Sequence, residues 1–330
     1  MPLGVRRFAL ATLVTTVVAL STALVAYAGN GGFLPGEAHS PNAHRVHTAF
    51  IVVAIFTGII LVGVEGALVA FVIKYRRGKR PRTAEGPQIH GSSKLELIWT
   101  VFPVVVLALI GAFVFYELPG IADAPKATAA EETHVDIVGH QFYWLFRYPN
   151  GAVSIDTMVA PADQVVNESI TAPTWDAIHS WWVPDFGGKY DAIPGKINKT
   201  WFKAPAGTYP ARCYELCGIQ HAAMLAKVRV VPRAQYDAFI AQRANDQLAL
   251  GKEEWQGVCM KCHRLASKYI GPALQGNPLL ADRKGIESLL RNGQNGSIGQ
   301  MPSVGRDWTG AQIDALIAYT KQFANKGGNG

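Results

Sequence analysis

Cysteine is scarce in this chain, four in 330 residues, which excludes a disulfide scaffold. Charge is scarce as well. Asp, Glu, Lys and Arg make up 17% of the chain against 49% hydrophobic residues, and with 10% aromatics this excludes a disordered chain. No internal repeat and no low-complexity tract is visible. Acidic residues are outnumbered 24 to 31 by basic ones, a net charge of +7. That excess does not point to nucleic acid as a partner, because six basic residues crowd into Lys74–Arg82 beside an apolar run. Such a cluster reads as a cytoplasmic membrane loop. The length allows two or three domains.

The hydrophobic residues are concentrated near the start. Arg6 and Arg7 precede an apolar stretch, Phe8–Val25, that ends in Ala26-Tyr27-Ala28, the pattern of a secretory signal over residues 1–28. The apolar stretch is longer than usual for a signal, so a retained helix stays open, and either outcome gives the same topology. Thr48–Ile73 holds one charge, Glu65, and Ile98–Tyr116 holds none. About 20 apolar residues span a bilayer, so a transmembrane hairpin is expected within 29–125, with helices at about 48–73 and 95–117. The basic loop between them belongs in the cytoplasm, and everything after Leu118 belongs outside. Neither span contains His, so any haem or copper chemistry inside the bilayer must be housed by another chain. Glu65 in mid-helix is costly unless it faces protein.

Residues 126–232 read as a β-sandwich of about 100 residues. Short runs such as Val135–Val138, Val153–Val159, Val165–Ala172 and Lys227–Val231 are bounded by turn formers. Helical spacing takes over from Tyr236 to Leu250, and a closing helix is expected around Ile313–Thr320. Residues 233–245 read as a linker and 246–330 as a helical domain.

Two short motifs carry chemistry. Cys213-Tyr-Glu-Leu-Cys217-Gly-Ile-Gln-His221-Ala-Ala-Met224 places two thiols, an imidazole and a thioether within twelve residues. Soft sulfur with imidazole suits copper. Two thiolates at this spacing can bridge two copper ions, and His179 in Ile178-His-Ser-Trp-Trp-Val-Pro184 is the candidate for the second imidazole. A Cys213–Cys217 disulfide would not need His221, and a structural zinc site would not need Met224. Cys259-Met-Lys-Cys262-His263 is the covalent haem signature, with His263 as proximal iron ligand. Met301 in Gln300-Met-Pro302 is the candidate distal ligand, and no His follows His263 in the chain. Two cysteines for copper and two for haem leave none for disulfides.

Glu96-Leu-Ile-Trp-Thr-Val-Phe-Pro103, Gly139-His-Gln-Phe-Tyr-Trp144, the His179 segment, Asp191-Ala-Ile-Pro-Gly195 and the Cys213 loop together resemble subunit II of the haem-copper cytochrome c oxidases over residues 45–232. Residues 246–326, with Gly271-Pro272, resemble a class I cytochrome c. The resemblance implies a multidomain membrane protein: a two-helix transmembrane hairpin, a cupredoxin-like β-sandwich and an all-α class I cytochrome c domain. It implies a dinuclear CuA centre bridged by Cys213 and Cys217, with His179 and His221 each on one copper. Met224 is then the weak ligand on one copper and the carbonyl of Glu215 that on the other. In the family the Glu215 carboxylate also reaches a magnesium ion shared with the catalytic subunit. A Trp associated with electron entry in the family is Phe142 here, which turns attention to Trp144 or Trp181 as the entry point. An aromatic patch that simply packs the sandwich is the equal alternative. Glu96 matches a residue at the mouth of a proton channel, or is a helix-start carboxylate favoured by the dipole. Asn167-Glu-Ser169 and Asn198-Lys-Thr200 match a glycosylation pattern to which no weight attaches.

The expected function is electron entry into a proton-translocating cytochrome c oxidase. Electrons would come from cytochrome c or another periplasmic-side donor. Partners would be subunit 1, subunit 3 and membrane lipid, in a bacterial inner membrane with both soluble domains on its outer face. A fused donor acts at an effective concentration in the millimolar range. A CuA subunit of a nitric oxide reductase is the rival enzyme. A free-standing electron carrier or copper-delivery protein is the rival from another class, and a quinol oxidase would not need the copper ligands.

Overall fold

The computed structural model describes residues 36–76, 81, 83, 86, 88, 90–126, 132–243, 246–296 and 299–324. The signal expected over 1–28 lies outside them, as do Arg77, Lys79, Arg80 and Arg82 of the basic loop. The chain divides into two compact units, one containing His44–Ile121, the other made of Ala38–Ala43 and Ala122–Gly330.

The first unit is built on two long helices, α1 (Pro41–Tyr75) and α2 (Ser93–Ala122), both long and apolar enough to cross a membrane. At 1.5 Å per residue they run about 52 and 45 Å, well beyond a hydrocarbon core of about 30 Å. They therefore exceed the apolar runs that announced them, and their ends carry polar residues. Val62, Leu107 and Phe115 are among many large apolar side chains left exposed, as lipid-facing helices require. Arg45 Nη1 on α1 meets Glu117 Oε2 on α2 at 2.8 Å. Gly120, one turn further, leaves the room that the guanidinium fills. Glu65 is exposed in mid-helix.

The second unit holds two five-stranded sheets. In chain order the strands are β1 (Glu132–His140), β2 (Tyr143–Arg147), β3 (Val153–Ile155), β4 (Thr157–Pro161), β5 (Val165–Thr171), β6 (His179–Trp182), β7 (Tyr190–Ala192), β8 (Asn198–Phe202), β9 (Gly207–Cys213) and β10 (Leu225–Val231). One sheet is ordered β3-β2-β1-β5-β8, the other β4-β10-β9-β6-β7. The single strand expected over Val153–Val159 is in fact two. Asp156 adopts a left-handed φ of 52° between them, and the halves join different sheets. Trp144, Phe146, Met158, Trp181 and Phe202 fill the space between the sheets.

Helix α3 (Arg233–Arg243) occupies most of the stretch read as a linker, and it buries Tyr236 in the sandwich core with Phe239 and Ile240 packed alongside. The helix expected over Tyr236–Leu250 is therefore interrupted. Helix α4 (Gln247–Gly257) starts afresh, with the Asp246 side chain accepting from the Ala249 amide at 2.9 Å as its N-cap. Then follow α5 (Arg283–Asn292), a small hairpin of β11 (Gln294–Gly296) and β12 (Gly299–Met301), and α6 (Gly310–Ala324). The hairpin is not foreshadowed by any apolar alternation. Helices α4 and α6 cross at Gly251, where a Cβ would run into the Ala315 carbonyl.

Strand β2 explains how the sheet and the helical domain join. Trp144 and Phe146 point into the sandwich core, whereas Tyr143 and Leu145, on the other face, pack with Trp255, Val258, Leu290 and Trp308. The helical domain thus covers the outer face of β1–β3 with a second apolar core.

Candidate functional site

The sulfur and imidazole residues of the Cys213 loop meet at one end of the sandwich. His179 opens β6 and Cys213 closes β9, and the two strands are paired. The loop returns on itself, with the Cys213 amide donating to the Met224 carbonyl at 3.0 Å. His221 lies in a single 3₁₀ turn just before Met224.

The donor atoms converge. Cys213 Sγ lies 3.8 Å from Cys217 Sγ, 4.0 Å from His179 Nδ1 and 3.2 Å from the Glu215 carbonyl oxygen. Cys217 Sγ lies 3.6 Å from His221 Nδ1 and 3.8 Å from Met224 Sδ. His179, Cys213 and Cys217 bring their ligand atoms within 4.8 Å of one another, all three buried. A set of two thiols with an imidazole beside each and a thioether beside one suits a pair of soft metal ions. Both cysteines are free, so no disulfide competes. The hydrogen bond from Cys217 holds the Cys213 thiol far below its ordinary range, and the same contact pushes Cys217 up. The pair therefore keeps one thiolate ready, the form that binds metal.

A residue the sequence reading passed over orients this cluster. Asp176 Oδ1 lies 3.0 Å from His179 Nε2, which leaves Nδ1 facing the sulfurs. Burial disfavours the charged imidazole of His179, but the hydrogen bonds and charges of Asp176 and Cys213 together outweigh it and the pKa is raised. The backbone amide of Gln141 donates to the other Asp176 oxygen at 3.2 Å, and its side-chain amide donates to the Cys217 carbonyl at 2.5 Å. An acid three residues before a ligand His was the available signal. Glu215 turns its carboxylate outward, 3.7 Å from Lys189 Nζ.

The haem motif sits where α4 ends. Cys259 to Lys261 form one 3₁₀ turn and His263 follows. His263 Nδ1 lies 2.9 Å from the Pro272 carbonyl oxygen, which fixes Nε2 as the free nitrogen. Gly271 is needed there, since a Cβ would overlap the imidazole. Cys259, Met260, Leu265, Leu274 and Met301 are only partly buried around the second core, an apolar cradle of the kind a porphyrin completes. Motif and Met301 thus share one cluster.

Of the remaining sequence candidates, Trp144 is fully buried, with its ring centroid 6.1 Å from that of His179 and 5.0 Å from that of Trp181. Trp181 is buried as well and packs edge-on against Phe146. Glu96 is exposed in the first turn of α2, remote in sequence and in a separate unit.

Fold and site together define a membrane-anchored cupredoxin-like protein with a second, cytochrome c domain. Family models match three stretches: cytochrome c oxidase subunit II, transmembrane domain, over residues 28–116; the periplasmic domain of the same subunit over 154–231; and cytochrome c oxidase, cbb3-type, subunit III, over 246–319. A cytochrome c oxidase subunit 2 of Cereibacter sphaeroides is 31% identical over 65% of this chain and 80% of its own length. One of Alkalihalophilus pseudofirmus is 28% identical over 86% of this chain and 88% of its own. Among solved structures, the periplasmic domain of subunit II of cytochrome oxidase from Bradyrhizobium japonicum is 31% identical, covering 37% of this chain and 97% of that one, with a TM-score of 0.34. The chain belongs to the cytochrome c oxidase subunit 2 family and carries a cytochrome c domain at its C-terminus. Those domains imply a CuA copper site and a haem.

Proposed function

We propose that the chain is the electron-entry subunit of a terminal cytochrome c oxidase, linking cytochrome c through a fused haem c and a dinuclear CuA centre to the oxygen-reducing site of subunit 1, with proton translocation coupled to that reaction. The observation that carries this reading is the convergence of His179, Cys213, Cys217, His221 and Met224 in one chain with Cys259-Met-Lys-Cys262-His263. When bound, the two groups supply reversible one-electron transfer.

The chain's own residues set the conditions. Cys213 and Cys217 would hold the copper pair between them. His179, oriented by Asp176, and His221 would each hold one copper. Met224 and the Glu215 carbonyl would supply weak contacts, and the Glu215 carboxylate would face a magnesium ion shared with subunit 1. Cys259 and Cys262 would form the thioethers, while His263 and Met301 would hold the iron. Glu96 lies at the mouth of a proton channel in the partner. The division proposed is a signal at 1–28, a transmembrane hairpin at 29–125, a cupredoxin-like domain at 126–232, a connection at 233–245 and a cytochrome c domain at 246–330. The setting is a bacterial inner membrane with the soluble domains on its outer face, in complex with subunits 1 and 3.

Copper and covalent haem content of the assembled complex test this reading, together with its uptake of oxygen against nitric oxide. Two coppers per covalent haem with oxygen uptake are expected. Nitric oxide uptake alone would move the chain to a reductase, and isolation as a free single chain would exclude both enzymes.

A further inference from the structure

The haem motif does not face solvent at its centre. Lys261, the residue between Cys259-Met and Cys262, turns into the sandwich. Its Nζ lies 2.6 Å from Asp156 Oδ2 and donates to the Phe142 carbonyl at 2.6 Å. Both side chains of the ion pair are largely buried. The other Asp156 oxygen accepts from the Trp144 amide at 2.8 Å. The Trp144 ring in turn stands edge-on to His179. A continuous path of this chain's own atoms therefore joins the haem motif to a residue of the candidate copper site: Lys261, Asp156, Trp144, His179.

Two further features fix the pose. Gly257, four residues before Lys261, lies so close to β3 that a Cβ would come within 2.6 Å of Ile155 Cγ2. On the other side of the cradle, Tyr143 Oη donates to the Val304 carbonyl at 2.7 Å and accepts from Trp308 Nε1 at 2.8 Å, just beyond Met301. Strand β2 is thus gripped from the Lys261 side and from the Met301 side together.

We propose that Lys261 is a positioning residue which locks the cytochrome c domain onto the copper domain, so that transfer between them runs through the Lys261–Asp156–Trp144 bridge in one fixed pose and not from a swinging tether. This rests on the haem and copper reading above. In the transfer concerned, one electron leaves the haem iron, which is oxidised, and the copper pair is reduced by it.

The test uses the assembled oxidase with Lys261→Met, Asp156→Asn, both together, and Lys261→Arg. The Ile155 amide reports docking, because it donates across the interface to Glu253 Oε2 at 3.1 Å. Breaking one side of a buried ion pair should speed its hydrogen exchange at least about tenfold. Haem reoxidation after a reducing flash should slow in parallel, with the haem spectrum and potential unchanged. The double variant should be no worse than the poorer single one, and Lys261→Arg should restore both readings. If Lys261→Met disturbs the haem itself, Asp156→Asn, which lies outside the haem domain, decides. Unchanged Ile155 exchange, or lost protection with an unchanged reoxidation rate, overturns the proposal. Absence of copper or covalent haem would instead overturn the functional reading, while the Ile155 exchange still reports the docking.

Discussion

Glu168 is a carboxylate in the wrong place for a stable sandwich. It lies on β5 between Val166 and Ile170, on the face turned to the core, and only 4% of it is exposed. Trp181 Nε1 approaches it at 3.4 Å, and the adjoining cavity of about 10 Å³ is at the lower limit for one water. Burial pushes its pKa from 4.5 up to about 8. The native state then holds a proton that the unfolded chain gives up near pH 4.5. Stability is full below that value and is lost as pH rises through about 8. At about 1.36 kcal/mol per pKa unit the loss has a ceiling of about 5 kcal/mol, and water relaxing into the site makes about 2 kcal/mol the expected floor. Glu168→Gln keeps an acceptor for Trp181 and cannot ionise. Native-state hydrogen exchange of the β5 amides Val166 and Ile170, measured from pH 5 to pH 9 on the full chain, reads the local opening free energy. Wild type and variant should agree at pH 5. At pH 9 the variant should be the more protected by at least about 2 kcal/mol, or some 30-fold. Parallel pH profiles for the two proteins would refute the reasoning.

Other consequences are as direct. His221→Ala should abolish the near-infrared mixed-valence copper band and spare the haem spectrum; loss of both would contradict two separate sites. Met301→Ala should give a high-spin haem with a lower potential, read by absorbance and redox titration, because a thioether opposite His raises the potential. Asp176→Asn should weaken copper retention against a chelator about 10- to 100-fold through loss of the partner that orients His179. Gly257→Ala should loosen the haem domain without altering the copper band, since the added methyl overlaps Ile155; hydrogen exchange at Ile155 shows it.

The parts of the site that lie in one stretch of sequence were legible, because the chemistry dictates the spacing. The Cys213–Met224 loop and the Cys259–His263 motif announce their candidate ligands by residue type and order. The apolar runs announced α1 and α2, though not their full length, since the polar ends of a helix carry no hydropathy signal. What lay hidden depends on long-range contact. Asp176 acts only because β6 brings His179 beside it. Asp156 sits inside one apolar run, and only its left-handed backbone reveals that the run is two strands. Glu168 is the middle residue of a glycosylation-like triplet, and nothing local says that its side chain is buried.

Strand β2 carries in its sequence a sign of how the domains join. Tyr143-Trp-Leu-Phe146 is apolar at every position, whereas a sandwich strand with one face to water should alternate. The residues of β2 pack on both faces, Trp144 and Phe146 against the sandwich and Tyr143 and Leu145 against the cytochrome c domain, and this burial leaves the entry role of Trp144 untouched. An apolar strand with both faces buried requires a second cover, and the domain that carries the haem motif provides it. The fused domain therefore has a structural role whatever its redox partner. It supplies the missing layer over β1–β3, and the geometry between the two candidate redox sites follows from the need to bury Tyr143 and Leu145.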